Sequence, residues 1–399
     1  MADPTHRRLR VLVLNQVSAQ GLKRLPAERY EVGKDLAEPD AILLRSADLH
    51  AAPVPASVQA IARAGAGTNN IPVAAMSARG VPVFNAPGAN ANAVKELVLA
   101  GMLLAARNVA PALRFVAALD PRAPDLDRRV EDGKKAYAGF ELAGHTLGIV
   151  GLGKIGCLVA DAAIRLGMDV MGFDPHITVD AAWSLPSQVK KAASVAEVLK
   201  HSHFVTLHVP LVEATRGLVN ADNVALMRPG AVLLNFSREG VVDDAAVVAA
   251  LERKALAAYV CDFPNAVVHG HERVVALPHL GASTREAEEN CARMVIDQLR
   301  DYLEHGQVKH AVNFPAVTMA RESPWRVAIA NANVPNMLGQ ISTTVAQAGL
   351  NIHNMVNKSR GEMAYTLVDV DSPVADAVLA DLRRIDGVLA VRYLPDPAA

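Results

Sequence analysis

Cysteine is scarce: the 399 residues include three, Cys157, Cys261 and Cys291. Their odd number and wide separation fit neither a disulfide framework nor a zinc-ligand spacing, so a reducing cytoplasm is the expected setting. An excess of one charge is also missing. Forty Lys and Arg against 41 Asp and Glu leave a formal net charge of -1, which offers no pull toward nucleic acid or an anionic membrane. Long hydrophobic runs are absent too. The longest uncharged apolar stretch, Leu97 to Ala106, is about half the ~20 residues a spanning helix needs, so no transmembrane helix is expected. At the N-terminus, MADPTHRRLRVLVLNQ, the apolar run stops at Asn15-Gln16 without a small-residue cleavage site, and it reads as a first strand. There is no long-period repeat and no low-complexity segment.

What is present is a chain that is 51% hydrophobic and 20% charged, the balance of a well-packed globular protein, with length enough for about two to three domains. Short β-branched runs closed by turn residues recur from Arg10: LRVLVLN, AILLRS, VQAIARAGAG and VPVFNAP. A long helix is expected from about Asn92 to Leu119, where Val94, Leu97, Val98, Gly101, Leu104 and Ala105 recur at helical spacing. After Gly144 a second series opens with HTLGIVGLGKIG and continues through DVMGFD, FVTLHVP, AVLLNFS, AAYVCDF and VVALPHL. Strands alternating with helices in this way imply doubly wound parallel sheets. Residues 311 to 324, AVNFPAVTMARESP, read as a linker. Beyond them the order β-α-β-β-α-β is that of a small ferredoxin-like module.

Gly151-Leu-Gly153-Lys-Ile-Gly156 follows the strand TLGIV and opens a helix, the context that turns a weak GxGxxG match into a dinucleotide fingerprint. The first glycine allows a tight turn, the second lets the backbone approach a pyrophosphate, and the third admits close helix packing. Asp174 ends the next strand 18 residues after Gly156. A carboxylate there accepts hydrogen bonds from ribose hydroxyls and repels a 2′-phosphate, which favours NAD over NADP; a plain turn or cap residue is the alternative.

In such a sheet, ligands bind beyond the carboxyl ends of the strands, so polar residues just after strands are the candidates. These are His208 and Pro210 after FVTL, Ser237 and Arg238 after AVLLN, Asp262 in YVCDFP, and His279 after VVALP. A lone histidine in ALPHLGAST is more often structural than catalytic. Beside a nicotinamide cofactor, however, one His and one Arg most economically serve oxidation of an alcohol next to a carboxylate. His279 then takes the hydroxyl proton, and Arg238 binds the carboxylate and polarises the C2 oxygen.

GLGKIG, NFSREGVVDDAAVVAAL and LPHLGAST together resemble the D-isomer-specific 2-hydroxyacid dehydrogenase family, over a span from about Arg10 to Pro315. The resemblance implies a Rossmann-type NAD-binding domain, residues 91–280, inserted in a flavodoxin-like substrate domain, residues 1–90 and 281–312. It implies cofactor contacts from Gly151, Gly153, Lys154, Ile155, Gly156, Asp174, His208, Pro210, Ser237 and Asp262, the last on the nicotinamide carboxamide. It also implies substrate contacts from Arg45, Ser46, Ala66, Gly67 and Asn90, with no metal. The tail, residues 324–399, resembles an ACT domain. With it the resemblance narrows to the branch that oxidises 3-phospho-D-glycerate to 3-phosphohydroxypyruvate, opening phosphorylated L-serine biosynthesis. In that branch Arg45 holds the phosphate, and the N–H groups of Ala66 and Gly67 hold the carboxylate. Lys134 and Lys135 are weaker phosphate candidates, better read as a solvated loop.

Three departures stand out. The family's glutamate partner of the catalytic histidine is replaced near Asn265 or Ala266; Glu272 is a conceivable substitute, though an exposed loop residue by position. In the tail, Asn333 and Asn351 match amino-acid-contacting positions, which implies an L-serine effector, while Asn331 stands at a histidine and Asn336 at a glycine of serine-sensing members. A module that only pairs subunits, in a homodimer or homotetramer, is the competing reading of the tail. For the whole chain the alternatives are a dehydrogenase of an unphosphorylated 2-hydroxy acid and an NAD-sensing, corepressor-like binding protein.

Overall fold

The computed structural model of the chain describes residues 7–396. The chain divides into two compact units, one running to Asn90 and resuming at Arg285, the other Ala91–Thr284.

The first unit opens with a sheet of β1 (Leu9–Leu14), β2 (Tyr30–Gly33), β3 (Ala41–Leu44), β4 (Ala60–Arg63) and β5 (Val83–Phe84) in the order β2-β1-β3-β4-β5. Every pairing is parallel, and this is the flavodoxin-like order. β3 is buried along its whole length, as expected of a strand covered on both faces.

The second unit carries β6 (Thr146–Val150), β7 (Asp169–Phe173), β8 (Lys190–Lys191), β9 (Phe204–Leu207), β10 (Ala231–Asn235), β11 (Leu256–Cys261) and β12 (Val274–Ala276). Their order is β12-β11-β10-β9-β6-β7-β8, all parallel. The sequence runs outward from β6 in both directions, so β6 and β9 flank the switch point where dinucleotides bind in Rossmann sheets. Apolar side chains pack both faces, with Val205, Leu207 and Leu233 in one core and Ile149, Phe204 and Leu234 in the other.

One expected helix is broken. Instead of a single element to Leu119, the chain forms Ala91–Ala106 and Val109–Ala117, bent by 68°. Pro111 has no N–H to give the carbonyl four residues back, so it fits only in the first turn of a new helix. Asn108 makes the corner at φ 49°, a left-handed conformation that asparagine tolerates. Among the described residues, no single helix is long and apolar enough to cross a membrane.

The tail adopts the expected β-α-β-β-α-β order: β13 (Trp325–Ala332), helix Met337–Gln347, β14 (Ile352–Arg360), β15 (Met363–Val370), helix Asp376–Arg384 and β16 (Val388–Pro395). The sheet is antiparallel in the order β14-β15-β13-β16. Its helices cover one face, with Ile341 and Leu382 in one core with Ile329 of β13. Ala328, Ala330, Tyr365 and Leu367 on the other face share a core with Leu299, Tyr302 and Leu303 of the Arg285–His305 helix.

The segment 311–324 is therefore no loose linker. Ala311, Phe314, Val317 and Met319 are buried. The Asn313 side chain accepts from Val83 N at 2.9 Å and donates to Val81 O at 2.9 Å, which satisfies backbone groups at the β5 edge. Arg326, fully buried, clamps both Asp369 oxygens at 2.6 and 2.8 Å and donates to His305 O, Met319 O and Ala320 O. A guanidinium is buried here because all its donors are answered.

Candidate active site

In the second unit the site residues follow the carboxyl ends of six neighbouring strands. In the order β12, β11, β10, β9, β6, β7, these are His279, Asp262, Arg238, His208, Gly151 and Asp174. Adjacent strands lie about 4.8 Å apart, so the row extends roughly 24 Å, the scale of an extended dinucleotide.

Each glycine of the loop has its own geometric reason. Gly151 takes φ 94°, and a Cβ there would meet His208 O at 2.5 Å. A Cβ at Gly156 would meet Gly151 O at 2.1 Å, whereas one at Gly153 would face nothing within 4 Å. Gly151 and Gly156 close the loop, and Gly153 leaves bare backbone toward solvent. The helix Lys154–Arg165 starts there with no side-chain cap. Among the described residues no protein group accepts from the N–H groups of Gly153, Lys154 and Ile155, which are the donors a helix N-terminus offers to phosphate. Asp174 accepts from Leu152 N and His176 N, each at 2.8 Å, and so ties the β7 end to the glycine loop. The loop fits a dinucleotide. Gly156→Ala forces two backbone segments apart; we expect a loss of about 1–3 kcal/mol in urea unfolding and weaker NADH binding by fluorescence titration.

His208 meets Thr206 Oγ1 at 3.0 Å through Nε2, and its buried Nδ1 has no partner among the described residues. Burial lowers its pKa to about 3, so the ring is neutral. Pro210 beyond it is exposed. Ser237 is buried on Asn235 Oδ1, 2.8 Å from its hydroxyl. Arg238 donates to Ser237 O at 2.6 Å and keeps an exposed side chain; partial burial draws its guanidinium below the ordinary arginine range.

His279 stands in the left-handed region, φ 56°, where a non-glycine residue must be held. Asp262 does the holding. Its carboxylate, 1% exposed, accepts from Leu280 N at 2.7 Å and Gly281 N at 2.8 Å, and its carbonyl accepts from His279 N at 3.1 Å. Burial raises the Asp262 pKa, and the Leu280 and Gly281 N–H groups counter the rise. The imidazole is exposed and lies on Phe263, ring centroids 4.9 Å apart. Asn265 donates to Asp244 Oδ2 at 2.6 Å and accepts from Val267 N and Val268 N. Glu272 is 83% exposed and pairs with Arg273 at 3.7 Å.

In the first unit the same rule applies to β3, β4 and β5. Arg45 follows β3, Arg63 ends β4 and Asn85 follows β5. Arg63, which belongs to no sequence motif, donates to Arg45 O at 3.0 Å, and its guanidinium lies over Gly65, where a Cβ would meet Nη1 at 2.2 Å. Asn85 holds the Ala66 carbonyl at 2.6 Å. Among the described residues, the Ala66 and Gly67 N–H groups have no protein acceptor, and successive free N–H groups make an anion nest. Ser46 is exposed and Asn90 half-buried. Arg45 pairs with Glu288 at 2.5 Å. Burial pushes the Cys291 thiol up, Arg63 and Arg45 pull it down, and Glu288 pushes it up. Lys134 pairs with Glu131 and Lys135 with Asp132, all exposed.

In the tail an open cleft of about 190 Å³ is lined by Asn331, Asn333, Asn336 and Asn357, with Val334 and Leu338 among its apolar neighbours. Asn336 has φ 63°, a conformation that suits the glycine it replaces. Buried Asn331 donates to Ala332 O at 2.8 Å, and Asn357 donates to Thr366 Oγ1 at 2.8 Å. Asn333 Nδ2 bonds Gly361 O at 3.0 Å. Asn351 is exposed beside Asp371 and does not line the cleft.

Residues 100–281 match the D-isomer specific 2-hydroxyacid dehydrogenase, NAD binding domain. D-3-phosphoglycerate dehydrogenase of Haemophilus influenzae is 33% identical over 343 residues, covering 82% of this chain and 79% of that protein. The chain belongs to the D-isomer-specific 2-hydroxyacid dehydrogenase family. The enzyme of the same name from Escherichia coli is 33% identical over 341 residues, with 82% and 79% covered. The fold is also that of NAD+-bound 3-phosphoglycerate dehydrogenase from Entamoeba histolytica, at 24% identity and TM-score 0.60, over 77% of this chain and 99% of that one. This dehydrogenase uses NAD.

Proposed function

We propose that this dehydrogenase oxidises 3-phospho-D-glycerate to 3-phosphohydroxypyruvate, the first step of phosphorylated L-serine biosynthesis. The observation that carries the choice of a phosphorylated substrate is the pair of guanidiniums, Arg45 and Arg63, beside the free N–H groups of Ala66 and Gly67. A plain 2-hydroxy acid carries one negative charge and gives two further guanidiniums nothing to hold. The names of the relatives point the same way.

In this reading His279 takes the C2 hydroxyl proton, held in position by the Asp262-pinned turn. Arg238 grips the carboxylate and polarises the C2 oxygen, which becomes the ketone. Arg45 holds the phosphate, with Ser46 and Asn90 beside the same segments. Bound NAD supplies the two-electron acceptor. Gly153, Lys154 and Ile155 hold its pyrophosphate, Asp174 its ribose, and His208, Pro210, Ser237 and Asp262 border its nicotinamide half.

The test is NADH oxidation with 3-phosphohydroxypyruvate, hydroxypyruvate and 2-oxoglutarate. We expect turnover chiefly with the phosphorylated keto acid; turnover with none of the three sinks the reading. Arg45→Gln is expected to raise KM for the phosphorylated acid about ten- to hundredfold, the worth of one charged hydrogen bond, and to leave hydroxypyruvate nearly unaffected.

The four-asparagine cleft favours a second role for the tail, as an ACT domain binding L-serine as an effector through Asn333; Asn351, matched to an effector position by sequence, lies outside that cleft. L-serine added to the same assay reads this directly. A homodimer or homotetramer fits Leu113 and Val116, 63% and 55% exposed on the second unit, and light scattering measures it.

A further inference from the structure

The cation assigned to the substrate's phosphate does not wait unpaired. Arg45 Nη1 meets Glu288 Oε1 at 2.5 Å, and the two side chains are 33% and 42% exposed. Glu288 sits in the first turn of the Arg285–His305 helix, and Cys291 follows one turn later on the same face. Arg63 is anchored separately through the Arg45 carbonyl.

We propose that Glu288 is a specificity-determining residue: it is the resident counter-ion of Arg45, and the substrate's phosphate must displace it. The inference rests on the reading of Arg45 as the phosphate-binding cation. A phosphate arriving at Arg45 meets a carboxylate within ion-pairing distance of the same guanidinium. It must part the existing pair, and it is repelled by the carboxylate it replaces. An unphosphorylated acid presents only a hydroxyl at that position and leaves the pair intact. Glu288 therefore restrains binding of the phosphorylated acid and narrows its advantage over its plain analogue. Both side chains are part-exposed, so the restraint is small, in the range of surface ion pairs. It also weakens with salt, because screening acts on the pair and on the repulsion alike.

The experiment compares wild type, Glu288→Gln, Arg45→Gln and the double variant, with 3-phosphohydroxypyruvate and hydroxypyruvate at fixed NADH, in low and high salt. Glu288→Gln is expected to lower KM for the phosphorylated acid about two- to fivefold at low salt, with a smaller gain at high salt. The effect should fall on KM rather than kcat, should be smaller for hydroxypyruvate, and should shrink in the Arg45→Gln background. If Arg45→Gln raises KM while Glu288→Gln leaves it unchanged or raises it too, Glu288 is a brace for Arg45 and the proposal is overturned with the Arg45 reading intact. If Arg45→Gln leaves KM for the phosphorylated acid unchanged, the reading of Arg45 fails and the proposal falls with it.

Discussion

His279→Gln is expected to lower kcat by about 10²- to 10⁴-fold, the usual contribution of a positioned general acid or base. The amide keeps the size of the ring and can still form a hydrogen bond, but it cannot carry a proton at neutral pH. The turn itself should survive, because its anchors are the Asp262 carboxylate and the backbone N–H groups of Leu280 and Gly281, not the imidazole. NADH affinity, followed by fluorescence, should stay close to wild type while turnover collapses. Turnover within about tenfold of wild type would remove His279 from the chemistry and return it to the structural reading that a lone histidine ordinarily deserves.

Arg238→Gln is expected to reduce kcat/KM by about 10²- to 10³-fold, since it removes a charged donor from an oxygen whose charge changes during reaction. The loss should be split between KM, through the carboxylate, and kcat, through the C2 oxygen. Arg238→Lys should recover part of the KM effect and little of kcat, because an ammonium cannot present two parallel N–H groups. Arg238 follows a fully buried strand, and its part-buried guanidinium has a backbone carbonyl as its hydrogen-bond partner and no ion pair among the described residues. Its removal should therefore leave the urea midpoint nearly unchanged. A large drop in that midpoint would assign the arginine to stability instead.

The row of candidate site residues was legible because it follows from local patterns. GLGKIG shows its role through the strand before it and the helix after it. Arg238, Asp262 and His279 each stand just past an apolar run. Parallel sheets put strand ends on one edge, so reading strand ends amounts to reading the site. The partners of these residues were less visible. Asp262 reads from the sequence as a cofactor contact, but its carboxylate holds Leu280 and Gly281, 18 and 19 positions away. Arg63 lies in an ordinary strand and gains meaning only when its guanidinium is seen over Gly65. Glu288 and Arg45 are separated by most of the chain.

Two local readings failed for identifiable reasons. Helical spacing ran from Asn92 toward Leu119, but periodicity does not register a missing N–H, and Pro111 restarts the helix after Asn108. Prolines without a period between 311 and 324 resembled a linker. Their neighbours Phe314 and Val317 are fully buried, because the strap crosses the β5 edge and answers its backbone groups.

By itself the sequence determined the βα alternation, the cofactor loop and the β-α-β-β-α-β order of the tail. Each depends on interactions among residues within about one element of each other, where hydrophobic period and glycine sterics suffice. Only the tertiary structure decided what holds His279 in a left-handed turn, which acid faces Arg45, and that the tail's sheet packs on the Arg285–His305 helix through Arg326 and Tyr365. These are contacts between distant segments. Burial makes them specific, since a buried charge or N–H must find its partner wherever the fold brings one.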